Sequence, residues 1–193
     1  MLLSSPRPAK PDLDQLFGVA AGQAGYFTAT QAREAGYSLQ LLQHHLQRGS
    51  LERAGRGIFR LVRFPATEEG DLVVPWLWSE RRGIVSHESA LHVHDLADAL
   101  PAKVHLTLPA ADARRRLRIP PNVSVAYADI PATEVVWRGP VPVTSPLRTL
   151  RDCVAAEVAP EFLQQALARG LGRGLFSRSD LAGFDLPSEN EAR

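Results

Sequence analysis

The chain has 193 residues, of which 45% are apolar, and this length suffices for one or two domains with buried cores. No apolar run reaches the ~20 residues of a membrane helix, the N-terminus lacks the apolar stretch of a secretory signal, and the single cysteine, Cys153, excludes an internal disulfide framework. The sequence therefore predicts a cytoplasmic protein with no membrane partner.

Charge is distributed unevenly along the chain, although the net charge is only +1. Residues 1–63 contain eight Arg or Lys and four Asp or Glu, a net charge of +4, which leaves −3 for residues 64–193. A basic N-terminal third followed by a mildly acidic remainder fits a DNA-binding domain joined to a domain with another role. Ordinary variation of surface charge is the simpler alternative.

The N-terminal residues predict a flexible arm followed by a first helix. Residues 1–11 contain three prolines and two serines, which disfavour regular structure. Asp12 and Gln15 have the spacing of a capping box, so we expect the helix to begin there. Five apolar residues recur at helical spacing and predict one buried stripe: Leu13, Leu16, Phe17, Ala20 and Ala24.

A helix-turn-helix pattern follows the first helix. Thr28 and Gln31 repeat the capping-box spacing for a short second helix over residues 29–35. Gly36 ends this helix, and Ser38 is a favourable N-cap for a third helix. Two helices joined by a tight turn that contains glycine are typical of DNA-binding domains.

The third helix has one apolar and one polar side at ~100° per residue. Three leucines share the apolar side: Leu39, Leu42 and Leu46. Four polar residues share the opposite side: Gln40, Gln43, His44 and Gln47. Because glutamine can bond the major-groove edge of adenine and histidine can donate to guanine or a phosphate, this side predicts base reading, with an ordinary solvent-exposed face as the alternative. Arg48 follows it, and His45 lies nearer the apolar side, where we expect it to pack.

A basic hairpin is predicted directly after the third helix. Residues 51–53 and 58–61 have the pattern of two short strands, joined by the sequence Ala-Gly-Arg-Gly. Arg56 lies between the two glycines, where it can reach a phosphate or a minor groove. Arg53 and Arg60 would add phosphate contacts. A plain surface hairpin is the alternative.

Together these elements predict a winged helix-turn-helix domain over residues 12–64, in a chain of the α+β class. The residues predicted to bind DNA are Thr28, Ser38, Gln40, Gln43, His44, Gln47, Arg48, Arg53, Arg56 and Arg60. In this prediction, phosphate contacts supply most of the affinity for double-stranded DNA, and the third helix supplies the sequence preference.

The remainder predicts a linker over residues 64–70, a mixed α/β C-terminal domain over residues 71–186, and a flexible tail over residues 187–193. Helices are predicted over residues 71–82, 86–96, from 145 onward, 160–171 and 176–184. Strands are predicted over residues 104–108, 123–128, 134–137 and 141–144. Cys153 lies among apolar neighbours and is expected to be buried.

Catalytic motifs are missing from the sequence. Six residues invite a metal-site or hydrolase interpretation: Ser86, His87, Glu88, His92, His94 and Asp95. They contain no His-Glu-x-x-His motif, and capping or structural roles explain them more simply. Neither lysine follows an acid in the pattern of a restriction-type nuclease, and no Asp-x-Asp follows the Gly-Ser pair as a nucleotidyltransferase requires. We therefore expect no enzymatic activity, catalytic residue, metal or cofactor, although an enzyme with a site at residues 87–95 stays open.

Several segments resemble one protein family. They are GYFTATQAREAGYS (residues 25–38), GRGIFRL (residues 55–61), VSHESALHVHDL (residues 85–96) and VTSPLRTLRD (residues 143–152). In these segments the chain resembles the AbiEi-type antitoxins of type IV toxin–antitoxin systems, over roughly residues 12–172.

The resemblance implies a bacterial transcriptional autorepressor. Its N-terminal winged helix would bind inverted repeats in its own promoter, and its C-terminal domain would serve in antitoxin activity against a nucleotidyltransferase-like toxin. A stand-alone regulator, or a protein-interaction module without a toxin, is the alternative. The basic run at residues 114–118 could be a second DNA contact, a toxin-facing patch or a solvated loop.

Overall fold

The computed structural model describes residues 10–67 and 70–182. The chain forms two compact units, Met1–Trp78 and Ser79–Arg193. Most of the predicted N-terminal arm, part of the predicted linker, the end of the last predicted helix and the predicted tail lie outside the described residues. The predicted domain limits at residues 12–64 and 71–186 stay predictions.

The N-terminal unit combines helices with a three-stranded antiparallel sheet of order β1-β3-β2. Its elements are α1 (Leu13–Ala21), β1 (Tyr26–Thr28), α2 (Ala29–Glu34), α3 (Leu39–Gln47), β2 (Leu51–Gly55), β3 (Ile58–Leu61) and α4 (Gly70–Trp78). Strand β1 was not predicted, because three residues are too short to show an alternating pattern. Its pairing with β3, in which Tyr26 lies opposite Arg60, defines it.

Side-chain caps begin the first three helices, as the sequence predicted. The Asp12 carboxylate accepts a hydrogen bond from the Gln15 backbone N–H at 2.9 Å. Thr28 and Gln31 form the reciprocal capping box of α2. The Ser38 hydroxyl accepts from the Leu41 backbone N–H at 3.1 Å. These bonds satisfy N–H groups that have no partner within the helix, and so fix where each helix starts.

Two predicted apolar stripes, on α1 and α3, are only partly buried in the core of the N-terminal unit. Leu16 and Ala20 of α1 are buried, but Leu13 and Phe17 are 63% and 53% exposed, since α1 is covered along only one side. On α3, Leu42 is buried, while Leu39 is 74% exposed. Leu39 occupies the first turn at the edge of the apolar side, and Leu41 packs against the core instead.

The C-terminal unit contains a mixed five-stranded sheet of order β6-β5-β4-β8-β7. Its strands are β4 (Ile84–Val85), β5 (Val104–Leu108), β6 (Val123–Tyr127), β7 (Val135–Arg138) and β8 (Val141–Thr144). Its helices are α5 (His87–Val93), α6 (Pro146–Ala155) and α7 (Pro160–Gly172). The α+β class is confirmed. Strand β4 was missed, because its two residues carry no periodicity.

Backbone conformation shortens three predicted helices. α4 ends at Trp78, and Glu80 and Arg81 that follow have φ values of 59° and 64°, outside the helical region. α5 ends at Val93, and Asp95 has a φ of 52°. Within the described residues, the helix predicted over 176–184 is a 3₁₀ turn at Arg178–Leu181.

The helices of the C-terminal unit share one apolar cluster. Its buried members include Leu91 of α5, Leu150 and Cys153 of α6, and Leu163 of α7. Cys153 is fully buried, as expected, and burial raises the pKa of its thiol, so it is neither charged nor reactive at neutral pH.

Candidate nucleic-acid interface

The polar side of α3 is exposed to solvent. Its members are Gln40, Gln43, His44 and Gln47. None of their side chains, nor that of Arg48 at the end of the helix, has a hydrogen bond or ion pair within residues 10–67 and 70–182. Leu42, 1% exposed, anchors the opposite side of the helix in the core. The amide and imidazole groups are therefore available to a partner, on a helix whose orientation is fixed.

His45 is directed away from this polar side, as the sequence predicted. Its Nδ1 lies 3.0 Å from the Ser50 hydroxyl, which itself donates to the His45 carbonyl oxygen at 3.2 Å. The His45 ring is 6.0 Å from the Tyr37 ring. These contacts attach the end of α3 to the start of the hairpin that follows.

The hairpin between β2 and β3 exposes Arg56 at its tip. Gly57 has a φ of 70°, a conformation that glycine adopts readily and that allows the chain to reverse here. A register shift between Arg53 and Gly55 adds a β-bulge beside the turn. The Arg53 guanidinium lies 5.5 Å from the centre of the Phe59 ring, within the range of a cation–π contact. Arg56 has no partner in the described part of the chain.

Arg60 differs from the other predicted phosphate contacts, because its guanidinium is bound within the N-terminal unit. Nη1 is 3.0 Å from the Glu52 carboxylate, and Nη2 donates to the Phe64 carbonyl oxygen at 2.7 Å. The guanidinium also lies 5.7 Å from the Tyr26 ring centre. Its side chain is 15% exposed. A phosphate contact by Arg60 would have to replace these bonds, and its role in DNA binding stays a prediction.

Thr28 and Ser38 use their hydroxyl oxygens as helix caps. The Thr28 hydroxyl accepts from the Gln31 backbone N–H at 3.2 Å, and the Gln31 side chain accepts from the Thr28 backbone N–H at 2.8 Å. Gln31 also bonds to Gln23, which is buried. Both hydroxyls retain a hydrogen that could be donated to a phosphate, so their predicted DNA contacts stay open.

The six polar residues between positions 86 and 95 do not converge. His94 is buried and donates through Nε2 to the Thr144 carbonyl oxygen at 2.7 Å, while Asp95 pairs with Arg169 at 3.2 Å on the surface. His92 is exposed. Among the residues that the structure describes, no group of three or more His, Cys, Asp or Glu side chains is arranged to hold a metal ion.

Ser86, His87 and Glu88 lie together near the sheet of the C-terminal unit. Ser86 is at the N-cap position of α5, but its hydroxyl bonds to His87 and Thr107 rather than capping the helix.

Neither residues 10–67 nor residues 70–182 include a helix long and apolar enough to cross a bilayer.

Comparison with known families gives a match to the N-terminal unit. Residues 14–62 match the family described as transcriptional regulator, AbiEi antitoxin. This segment resembles the AbiEi regulators, as expected. The matched segment contains all of α1 except Leu13, together with α2, α3 and the β2–β3 hairpin, and so includes both exposed surfaces described above. The matched family is described as one of transcriptional regulators.

The other comparisons add little about the C-terminal unit. A crystal structure of the RV2827C protein from Mycobacterium tuberculosis is 17% identical, covers 86% of this chain and 75% of that chain, and has a TM-score of 0.44. A search of curated proteins finds no significant match.

Proposed function

We propose that residues 12–64 form a winged helix-turn-helix that binds double-stranded DNA, with α3 in the major groove and the β2–β3 hairpin as the wing. The observation that carries this proposal is the exposed side of α3, which presents three amides and an imidazole without any acidic residue. Solvent-exposed helix faces usually mix acidic and basic residues, whereas bidentate amide groups suit the edges of bases.

The exposed arginines and helix α3 would make different contributions to DNA binding. Arg48, Arg53 and Arg56 would neutralise phosphates and thereby supply affinity that does not depend on sequence. Gln40, Gln43, His44 and Gln47 would supply discrimination between bases. Arg60, which is bound to Glu52 and Phe64, would first stabilise the sheet on which the wing is built.

The regulated gene would be the protein's own. The match to AbiEi regulators supports binding to inverted repeats upstream of the gene, which two copies of the domain would occupy. The same match supports a role as antitoxin to a nucleotidyltransferase-like toxin. A stand-alone regulator is the alternative function.

Fluorescence anisotropy with the full chain tests DNA binding. The probes are a duplex from immediately upstream of the gene and a shuffled duplex of the same length and composition. We expect tighter binding to the upstream duplex, and affinity for both duplexes that falls steeply as salt increases. No binding to the upstream duplex at low salt would overturn the proposal.

Co-expression tests the antitoxin role separately. The chain is expressed together with a nucleotidyltransferase-like protein encoded beside it, and growth is measured. Rescue of growth by wild type would support the antitoxin role, and equal rescue by Arg56→Ala would indicate that this role does not depend on full DNA affinity. Growth arrest that neither wild type nor Arg56→Ala relieves would contradict the antitoxin role and favour a stand-alone regulator.

A further inference from the structure

A pocket of about 260 Å³ lies in the C-terminal unit, and the proposed DNA-binding function does not use it. It lies beside β5 and β6, the first residues of α5 and the turn after α6. Four polar side chains line it: His87, Glu88, His105 and Ser124. Apolar residues, including Val125 and Val158, complete the wall. A largely apolar pocket with a few convergent polar groups is the usual form of a small-molecule site.

A chain of hydroxyl groups determines which nitrogen of His87 carries the proton. The Thr107 hydroxyl donates to the Ser86 hydroxyl at 2.8 Å. Ser86 is completely buried, so its own hydrogen needs an acceptor, and His87 Nδ1 lies 2.9 Å away. Burial lowers the pKa of His87, and the ring is therefore neutral at pH 7. A neutral ring that accepts at Nδ1 carries its hydrogen on Nε2.

The backbone holds His87 in place with an unusual conformation. His87 has a φ of 52°, in the left-handed region that residues other than glycine seldom occupy. Among the described residues, five other non-glycine residues have similar φ values, Asp95 and Glu157 among them, so this conformation fixes the position of His87 but does not by itself mark a site. Nε2 of His87 has no hydrogen bond to any described residue, so its N–H is a donor available to the pocket.

Glu88 supplies a charged acceptor in the wall of the same pocket. His105 Nε2 lies 3.4 Å from Glu88 Oε2, whereas Oε1 has no hydrogen bond in the described part of the chain. Burial lowers the pKa of His105 as well, so this ring does not neutralise the carboxylate at pH 7. Ser124, opposite His105 in the register of β5 and β6, adds a hydroxyl that can donate or accept.

This combination excludes several ligand classes. A metal ion does not fit, because the described His, Cys, Asp and Glu side chains form no group of three or more with the arrangement of metal ligands. An anion would be repelled by Glu88. A guanidinium or ammonium group carries donors only, so it would leave the His87 Nε2–H facing another donor. A matching ligand presents an acidic N–H next to a hydrogen-bond acceptor.

We propose that this pocket binds a small planar lactam, the ring type found in uracil and guanine. The lactam N–H would donate to Glu88, its carbonyl oxygen would accept from His87 Nε2–H, and the apolar wall would contact the ring. Charge-assisted hydrogen bonds favour the acidic N–H of a lactam as donor to a carboxylate. The volume of about 260 Å³ is below the range of about 300–1,000 Å³ for pockets that hold drug-sized ligands, and it suits one ring system.

Isothermal titration calorimetry with the full chain at pH 7.5 tests this proposal, using 1-methyluracil and 1,3-dimethyluracil as probes. The two compounds have nearly the same shape, but the second lacks the lactam N–H. We expect saturable binding of 1-methyluracil and at least tenfold weaker binding of 1,3-dimethyluracil. Equal binding of the two compounds, or no saturable binding of either, would overturn the proposal. This comparison uses the wild-type protein and so does not depend on the folding of a variant.

Two variants locate the binding to this pocket. Glu88→Gln removes the charged acceptor and should weaken 1-methyluracil binding at least tenfold. Glu161→Gln changes an exposed glutamate on α7 outside the pocket and should leave binding unchanged. Circular dichroism checks that both variants are folded. Undiminished binding by folded Glu88→Gln would contradict the assignment, whatever the outcome of the DNA-binding experiments.

Discussion

Arginines taken from the two units illustrate two different roles. In the N-terminal unit, Arg48 and Arg56 are exposed and have no partner within the described residues. In the C-terminal unit, Arg148 lies 2.7 Å from both Glu134 and Asp152, and its side chain is 13% exposed. A guanidinium that is already paired contributes to folding, whereas an unpaired one is available to a phosphate. The charge of a residue therefore indicates its function only after its partners are known.

The same contrast exists inside the N-terminal unit. Arg56 and Arg60 are four positions apart, and both were predicted to contact phosphate. Arg56 is at the tip of the hairpin and free, whereas Arg60 bridges Glu52 and the Phe64 carbonyl oxygen. Position in the hairpin, rather than residue type, separates a candidate DNA contact from a structural bond.

The largest expected effect is on stability, in Arg148→Ala. The substitution would leave the largely buried carboxylate of Asp152 without its ion-pair partner, and one Asp152 oxygen is already buried without a hydrogen bond; Glu134 would keep its bond to Arg151. We expect a loss of about 3 kcal/mol in the free energy of unfolding, measured by urea denaturation. Arg116→Ala, at an exposed position, should change it by less than about 0.5 kcal/mol. Equal losses of unfolding free energy in the two variants would contradict the claim that a paired arginine contributes more to stability than a free one.

Gln43→Ala should alter sequence preference rather than stability. If the Gln43 amide bonds to a base, its removal should reduce discrimination at one operator position by about 1–3 kcal/mol. The measurement compares affinities for the operator and for single-base variants of it. Gln15→Ala, an exposed change on α1, is the control. Discrimination that stays intact at every position in Gln43→Ala would exclude this residue from base reading.

Arg56→Ala and Arg60→Ala form a matched pair. Arg56→Ala should weaken binding to all sequences and reduce the slope of log affinity against log salt by about 0.9, with stability unchanged. Arg60→Ala should lower the free energy of unfolding by about 1 kcal/mol, since it breaks two internal hydrogen bonds, and should leave the slope unchanged. The opposite pattern would reverse the roles assigned to the two residues.

The smallest effect is a dependence of stability on pH. Burial, together with Arg138 and Arg173, lowers the pKa of His94 below its usual value of about 6.5. Because the unfolded chain then binds the proton more readily than the folded protein, this contribution is present above about pH 6.5 and is lost as pH falls through the folded-state pKa. Thermal melts between pH 7.5 and pH 5 should show declining stability.

Two variants assign this decline to His94. His94→Gln should flatten the pH dependence, although it also lowers stability at every pH by disturbing the bond to Thr144. His92→Gln, at an exposed position, should preserve the dependence. An unchanged slope in His94→Gln would show that His87 and His105, whose pKa values are also lowered by burial, account for it instead.

Local signals predicted much of the secondary structure. Caps at Asp12, Thr28, Ser38 and Ser145 place helix starts correctly, because each cap bond involves residues only three positions apart. Alternation predicted β5, and strands were also predicted at the positions of β6, β7 and β8. Strands β1 and β4 were missed, since strands of three and two residues are defined by their partners in the sheet.

By itself the sequence determined the helix starts, the polar side of α3 and the glycine turn beside Arg56. These features depend on helical periodicity, short-range hydrogen bonds and backbone conformation, all of which a short segment carries. Only the tertiary structure decided that Leu39 is exposed, that Arg60 is paired, and that His105 joins His87 and Glu88 in one pocket. Those outcomes depend on which surfaces meet across the fold, and contacts between distant positions leave no pattern in a single sequence.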